Sequence, residues 1–173
     1  MAIQIARLAG ARVATTVTAG AKTELASSLG AELCIDYRRE NVGEKVRAWT
    51  EMDGADVVHD TVGGRTFTAC FSLVRPYGDL VSNVESPWED EAITAMQNRN
   101  LRVSFTWMSA PSVFGWREQR ERQRAILEQA ARHFDAGAPR VAVGATFPLE
   151  RAADAHRALE AGEVVGKAVL TME

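Results

Sequence analysis

Strand-like and helix-like segments take turns along almost the whole chain, and this alternation limits the fold more than any other feature. Residues 3–9 read as the tail of an apolar helix that Gly10 ends. Residues 12–17 (RVATTV) are short and β-branched, as strands are. Residues 22–29 are helical and stop at Gly30, 32–35 form a strand, and 41–50 carry Val42, Val46 and Trp49 at helical spacing. Residues 55–59 (ADVVH) are a buried-type strand, 67–74 a helix, and 79–82 a strand entered through the turn Pro76-Tyr77-Gly78. Then follow a helix at 89–97, a strand at 101–107 and a long helix at 116–136 closed by Gly137. The last pieces are an extended stretch at 141–147, a helix at 149–161 and a strand at 167–172. Pro111-Ser112 and residues 137–139 read as loops. Such alternation predicts the α/β class, with a doubly wound, Rossmann-like parallel sheet.

Composition narrows the function classes. The 173 residues suffice for one domain with a sizeable core. With 46% hydrophobic and 25% charged residues, the chain is of globular type and not disordered. A net charge of -3 gives no reason to expect nucleic acid, and the dense run at 117–124 mixes both signs, as a solvated helix face does. No apolar run is long enough for a membrane span, and residues 1–20 do not have the pattern of a secretory leader. A cytoplasmic protein without membrane partners is expected. Cys34 and Cys70 lie far apart in apolar contexts and read as reduced core thiols. Without a Cys-rich or His-rich cluster, zinc is not expected.

In an open parallel sheet, ligands lie beyond the carboxyl ends of the strands. That rule selects residues 15–22, 36–38, 60–64 and 82–85. A fold that binds NAD usually ends its second strand in Asp or Glu, which bonds the ribose 2′-hydroxyl. Here no acidic residue lies between Val13 and Lys22. The stretch offers the hydroxyls of Thr15, Thr16 and Thr18 and the cation of Lys22, with Tyr37 and Arg38 at the next strand end. A 2′-phosphate needs donors and positive charge, and a carboxylate there would repel it. The pattern favours NADP, with a solvated Lys22 on a first helical turn as the plainer alternative. In residues 60–64 the glycines allow close passage of backbone and ring, or simply a turn. Ser82-Asn83 either faces the nicotinamide end or is ordinary loop polarity. His59, inside an apolar strand, reads as a core residue, and His133 and His156 sit in helices. No Ser-His-Asp, Cys-His or paired-carboxylate arrangement stands out.

Five pieces in order resemble the medium-chain dehydrogenase/reductase superfamily, in its zinc-free quinone oxidoreductase branch. They are AIQIARLAGARVATTV, LGAELCIDYRREN, GADVVHDTVGG, FSLVRPYGDLVS and TFPLERAADAHRALEAGEVVGKAVLTME. The likeness covers essentially the whole chain and corresponds to the family's C-terminal, cofactor-binding portion. It implies NADPH-dependent hydride transfer to a quinone or an activated carbonyl or alkene, with the cofactor doing the chemistry and no catalytic acid or base named. By position, Lys22 would meet the 2′-phosphate, with Thr16, Thr18 and Tyr37 beside it. Thr61 and Val62 would line the adenosine side, and Ser82, Thr106 and Trp107 the nicotinamide side.

The sequence departs from the family in one respect. No Gly-x-Gly-x-x-Gly or equivalent occurs, so the phosphate-cradling loop and the central first strand have no counterpart. Residues 1–173 then read as an incomplete dinucleotide-binding domain, ending in the family's terminal segment at about 141–173, without the upstream substrate domain. Residues 12–17 and 55–59 would each lack a strand neighbour, at roughly 1–3 kcal/mol per buried unpaired group. A longer parent protein is the expected explanation. The alternative is a degenerate, non-enzymatic module that binds itself or a partner. The resemblance also implies a homodimer through residues 101–107, from Leu101 to Trp107.

Overall fold

In the computed structural model, residues 1–84 and 86–172 are described. They divide into two compact units, residues 1–36 with 127–173 and residues 37–126. All strand pairing among the described residues is parallel.

The first unit holds two strand–helix–strand crossovers. Helix α1 (Ala2–Leu8) precedes β1 (Ala14–Val17), α2 (Ala21–Ser28) and β2 (Leu33–Asp36). The register places Ala14 beside Leu33 and Val17 beside Asp36. Helix α2 stops because Gly30 adopts φ 105°, which side-chain-bearing residues rarely reach. The second crossover is β6 (Val143–Pro148), a 3-10 turn (Leu149–Arg151), α8 (Ala152–Glu160) and β7 (Lys167–Thr171). Gln4 ties α1 to the approach to β6. Its side-chain amide donates to the Arg140 carbonyl and accepts from the Arg140 N–H, each at 2.9 Å.

The second unit carries the larger core. It runs α3 (Val42–Thr50), β3 (Ala55–Asp60), α4 (Arg65–Cys70), β4 (Val74–Ser82), α5 (Asp90–Arg99), β5 (Arg102–Phe105) and α6 (Ala110–Val113). Helix α7 (Arg117–Asp135) begins in this unit and ends in the first. The Asn41 side chain caps α3 by accepting the Glu44 N–H at 3.2 Å, which leaves one fewer orphan donor at the helix start. The strand order is β3-β4-β5. Phe67, Cys70, Phe71, Val74, Leu80, Ala92 and Leu101 form its buried cluster. Phe67 and Phe71 meet edge to face at 5.0 Å, a favoured ring arrangement. At the solvent edge, Arg102 on β5 grips Asp79 on β4 through two hydrogen bonds of 2.7 and 2.5 Å, pairing the residues that the register sets side by side.

The pattern reading differs from this structure at several points. The helix expected to reach Val74 ends at Cys70, and Val74 opens β4. The expected turn at 76–78 lies inside β4 as an irregularity, with Tyr77 at φ 60°. It lets both Val74 and Leu80 reach the core. Pro111 and Ser112 belong to α6 rather than to a loop, with Pro near the helix start where its missing N–H costs nothing. His59, expected in the core, is exposed. Strand side chains alternate between faces, and Val58 and Asp60 take the buried one. Val57, on the same face as His59, is 58% exposed.

Candidate functional site

In the first unit, the carboxyl end of β1 leads through Thr18, Ala19 and Gly20 into α2. Thr16 is exposed and Thr18 half-buried, its carbonyl accepting the Thr23 hydroxyl at 3.5 Å. Lys22 stands exposed on the first turn of α2 and forms no ion pair among the described residues. Helix N-termini carry partial positive charge, to which Lys22 adds a full charge, while Glu24 on the same first turn offsets part of it. Tyr37, the residue after β2 and the first of the second unit, is exposed, with the Arg38 guanidinium 6.0 Å from its ring centre.

In the second unit, one carboxylate organises the strand ends. Asp60, the last residue of β3, is 2% exposed. Its Oδ1 accepts the N–H groups of Val62 and Gly63, both at 3.1 Å, and its Oδ2 accepts the Ser82 hydroxyl at 2.9 Å. Ser82, at the end of β4, is fully buried, and its oxygen also accepts the Val84 N–H at 3.2 Å. One residue further round, Ser86 is buried and accepts the Gly64 N–H at 3.0 Å. Gly63 makes this closeness possible. It has φ 80°, and a Cβ there would lie 2.6 Å from Val84 Cγ1 and 2.9 Å from Ser86 Oγ. The Ser82 carbonyl in turn accepts the Thr106 N–H at 2.9 Å, which extends the β4–β5 ladder beyond β5.

The structure therefore brings Ser82 and Thr106 together through backbone, and Ser82 and the residue 60–64 loop together through Asp60. Thr61 and Val62 project from that loop, Val62 being 68% exposed. Ser82 does not offer a free hydroxyl, because its hydroxyl serves the loop. Trp107 is 58% exposed and meets Phe114 edge to face at 5.7 Å, while Phe114 stacks on Trp116 at 5.1 Å. Trp107 and Trp116 border an open cavity of about 420 Å³ that Pro111, Arg122 and Gln123 also line. Glu85, the end of the fourth candidate segment, lies outside the described residues.

The sequence reading missed the roles of Asp60 and Ser86. The signal for Asp60 was present: an Asp at a strand end, followed within three residues by glycines, is the pattern of a side chain bonding the backbone ahead of it. Ser86 gave no such local signal, because its partner lies 22 positions away. Cys70, next to this network, is no nucleophile. Burial, and secondarily the charge of Asp60, push its thiol up to about 12, so it stays protonated. Among the described residues, no group of three or more His, Cys, Asp or Glu side chains is placed to hold a metal ion. No helix among them is long and apolar enough to cross a membrane.

Comparison with known proteins gives the chain a family and relatives. A family described as zinc-binding dehydrogenase matches residues 29–170. A 2-haloacrylate reductase of Burkholderia sp is 30% identical over 95% of this chain and 49% of its own length. A quinone oxidoreductase of Pseudomonas aeruginosa is 29% identical over 98% of this chain and 51% of its own length. The crystal structure of an NAD-dependent alcohol dehydrogenase superposes with a TM-score of 0.80 at 32% identity, covering 99% of this chain and 47% of that one. The chain thus spans about half the length of the curated relatives it matches.

Proposed function

Because the chain belongs to the zinc-binding dehydrogenase family and corresponds to the cofactor-binding portion of medium-chain dehydrogenases/reductases, we propose that it holds NADPH for a quinone-reductase-type oxidoreductase. The acceptor class is a quinone or an activated carbonyl or alkene. The relatives named for quinone and for 2-haloacrylate reduction support that class, since both substrates are electron-poor π systems that accept a hydride. The cofactor, when bound, supplies the hydride, and the protein's work is to hold and orient it.

One observation carries the NADPH assignment. The stretch from the end of β1 to Lys22 presents an exposed, unpaired Lys22 and no carboxylate, the first acid being Glu24 two residues further along α2. Thr16 and Thr18 add hydroxyl donors on the same unit, while Tyr37 is assigned to the 2′-phosphate by the family resemblance alone. This set fits a 2′-phosphate and lacks the acid that a bare ribose diol needs. The NAD-dependent relative shares the fold, and the proposal for this chain rests on its own strand end. Thr61 and Val62 line the ring portion, with Ser82 behind them and Thr106 and Trp107 toward the nicotinamide. The zinc of the family's description has no ligand set among the described residues, so no step is assigned to a metal. Titration of the chain with NADPH and NADH, followed by the emission of the reduced nicotinamide, tests the assignment. Tighter binding of NADPH supports it, and equal binding rejects it.

The outer edge of β5 supports a homodimer. β5 is a terminal strand of its sheet, and Phe105 and Trp107 near it are exposed. An open edge flanked by aromatics is a ready pairing surface. Sedimentation at micromolar concentration is expected to give twice the chain mass, and a monomer there would contradict the dimer.

A further inference from the structure

The loop after β3 looks at first like a phosphate loop, with two glycines between a strand and a helix. Its hydrogen bonds say otherwise. A phosphate loop works by leaving consecutive N–H groups free to point at the anion. Here three consecutive N–H groups are already used. Those of Val62 and Gly63 go to Asp60 Oδ1 and that of Gly64 to Ser86 Oγ. Asp60 is also a buried carboxylate without an ion pair among the described residues, and it repels any anion brought to this edge. What the loop leaves outward is the Thr61 side chain and the apolar Val62.

Resting on the cofactor reading above, we propose that Asp60 is a positioning residue. It clamps the residue 60–64 loop to Ser82, so that the loop presents Thr61 and Val62 to an uncharged ring of the dinucleotide and refuses its phosphates. The selectivity comes from bonds made inside the chain. By filling the donors that a phosphate would use, the clamp fixes which part of the cofactor can lie here.

Two variants separate the parts of this proposal. Asp60→Ala removes every acceptor. Asp60→Asn keeps an oxygen for Val62 and Gly63 and turns an amide N–H toward Ser82 Oγ, whose own proton then goes to the Val84 carbonyl, 3.1 Å away. The measurement is amide exchange and chemical shift at Val62, Gly63 and Gly64 in the full chain, alone and with inorganic pyrophosphate, together with NADPH affinity. In the wild type these amides are expected to be protected and unmoved by pyrophosphate. Asp60→Ala is expected to speed exchange at Val62 and Gly63 by about tenfold or more and to weaken NADPH by about tenfold, while Asp60→Asn stays within about threefold on both. Pyrophosphate shifts at these amides in the wild type would overturn the proposal. So would wild-type exchange or affinity in Asp60→Ala, or an Asp60→Asn chain as impaired as Asp60→Ala. Should Asp60→Ala not fold, Asp60→Asn and the wild-type pyrophosphate titration decide. A wild type that binds neither NADPH nor NADH overturns the cofactor reading and the ring assignment with it, and the exchange pattern then judges the clamp by itself.

Discussion

The two units are built on similar strand–helix–strand crossovers but bury very different side chains. The second encloses Phe67, Phe71, Val74, Leu80 and Leu101. In the first, the buried apolar side chains among the described residues are Ala26, Ala31, Ile35, Pro139 and Ala155, of which Ile35 is the largest. Buried apolar area is the main favourable term in folding, at roughly 25 cal/mol per Å². Stability is therefore concentrated in the unit with the Asp60 clamp, while the residue that sets the proposed cofactor preference, Lys22, sits in the less consolidated one. The difference teaches that a family's ligand chemistry and its packing energy need not reside in the same part of a domain.

The largest effect that tests this contrast is cavity formation. Phe67→Ala is expected to cost about 3–5 kcal/mol, because the ring is fully buried and shared among Phe71, Trp88 and Phe105. Ile35→Ala is expected near the lower end of the ~2–5 kcal/mol range for such truncations, since its neighbours on β2 are only half-buried. Denaturant unfolding of the two variants checks the order, and a larger loss for Ile35→Ala would reverse the comparison.

The cysteines give a second, smaller test. Cys70 is buried in the second unit, and Cys34 is half-buried in the first. The Cys70 pKa is raised in the folded chain, so the fold favours the neutral thiol. Its stabilising effect is complete below the ordinary value of 9.0 and is lost as pH rises toward about 12. Within that window stability is expected to fall by roughly 1.4 kcal/mol per pH unit from this group. Alkylation at mildly alkaline pH should mark Cys34 in the native chain and Cys70 only after unfolding. Equal labelling of both would place the two units on the same footing.

Much of this was legible in the sequence because period and punctuation are local. Gly10, Gly30 and Gly137 marked helix ends, and the alternation of segments marked a parallel α/β fold. The acid-free stretch before Lys22 was equally plain, since a missing charge can be read without coordinates. His59 was misplaced because an apolar strand does not announce which of its faces is covered. β4 was cut short because Pro76, Tyr77 and Gly78 have turn chemistry, while burial of Val74 and Leu80 on one core holds them inside a strand. The clamp was out of reach for a different reason. Ser82 and Ser86 act on residues 22 positions earlier, and only the parallel pairing of β3 with β4 brings them together.

The proposed NADPH preference rests on Lys22, and one titration tests it most directly. Wild-type chain and Lys22→Ala are each titrated with NADPH and NADH. The wild type is expected to bind NADPH more tightly by about tenfold or more, and Lys22→Ala to lose that margin while its NADH affinity stays unchanged. Equal affinities in the wild type, or a preference that survives Lys22→Ala, would contradict the account.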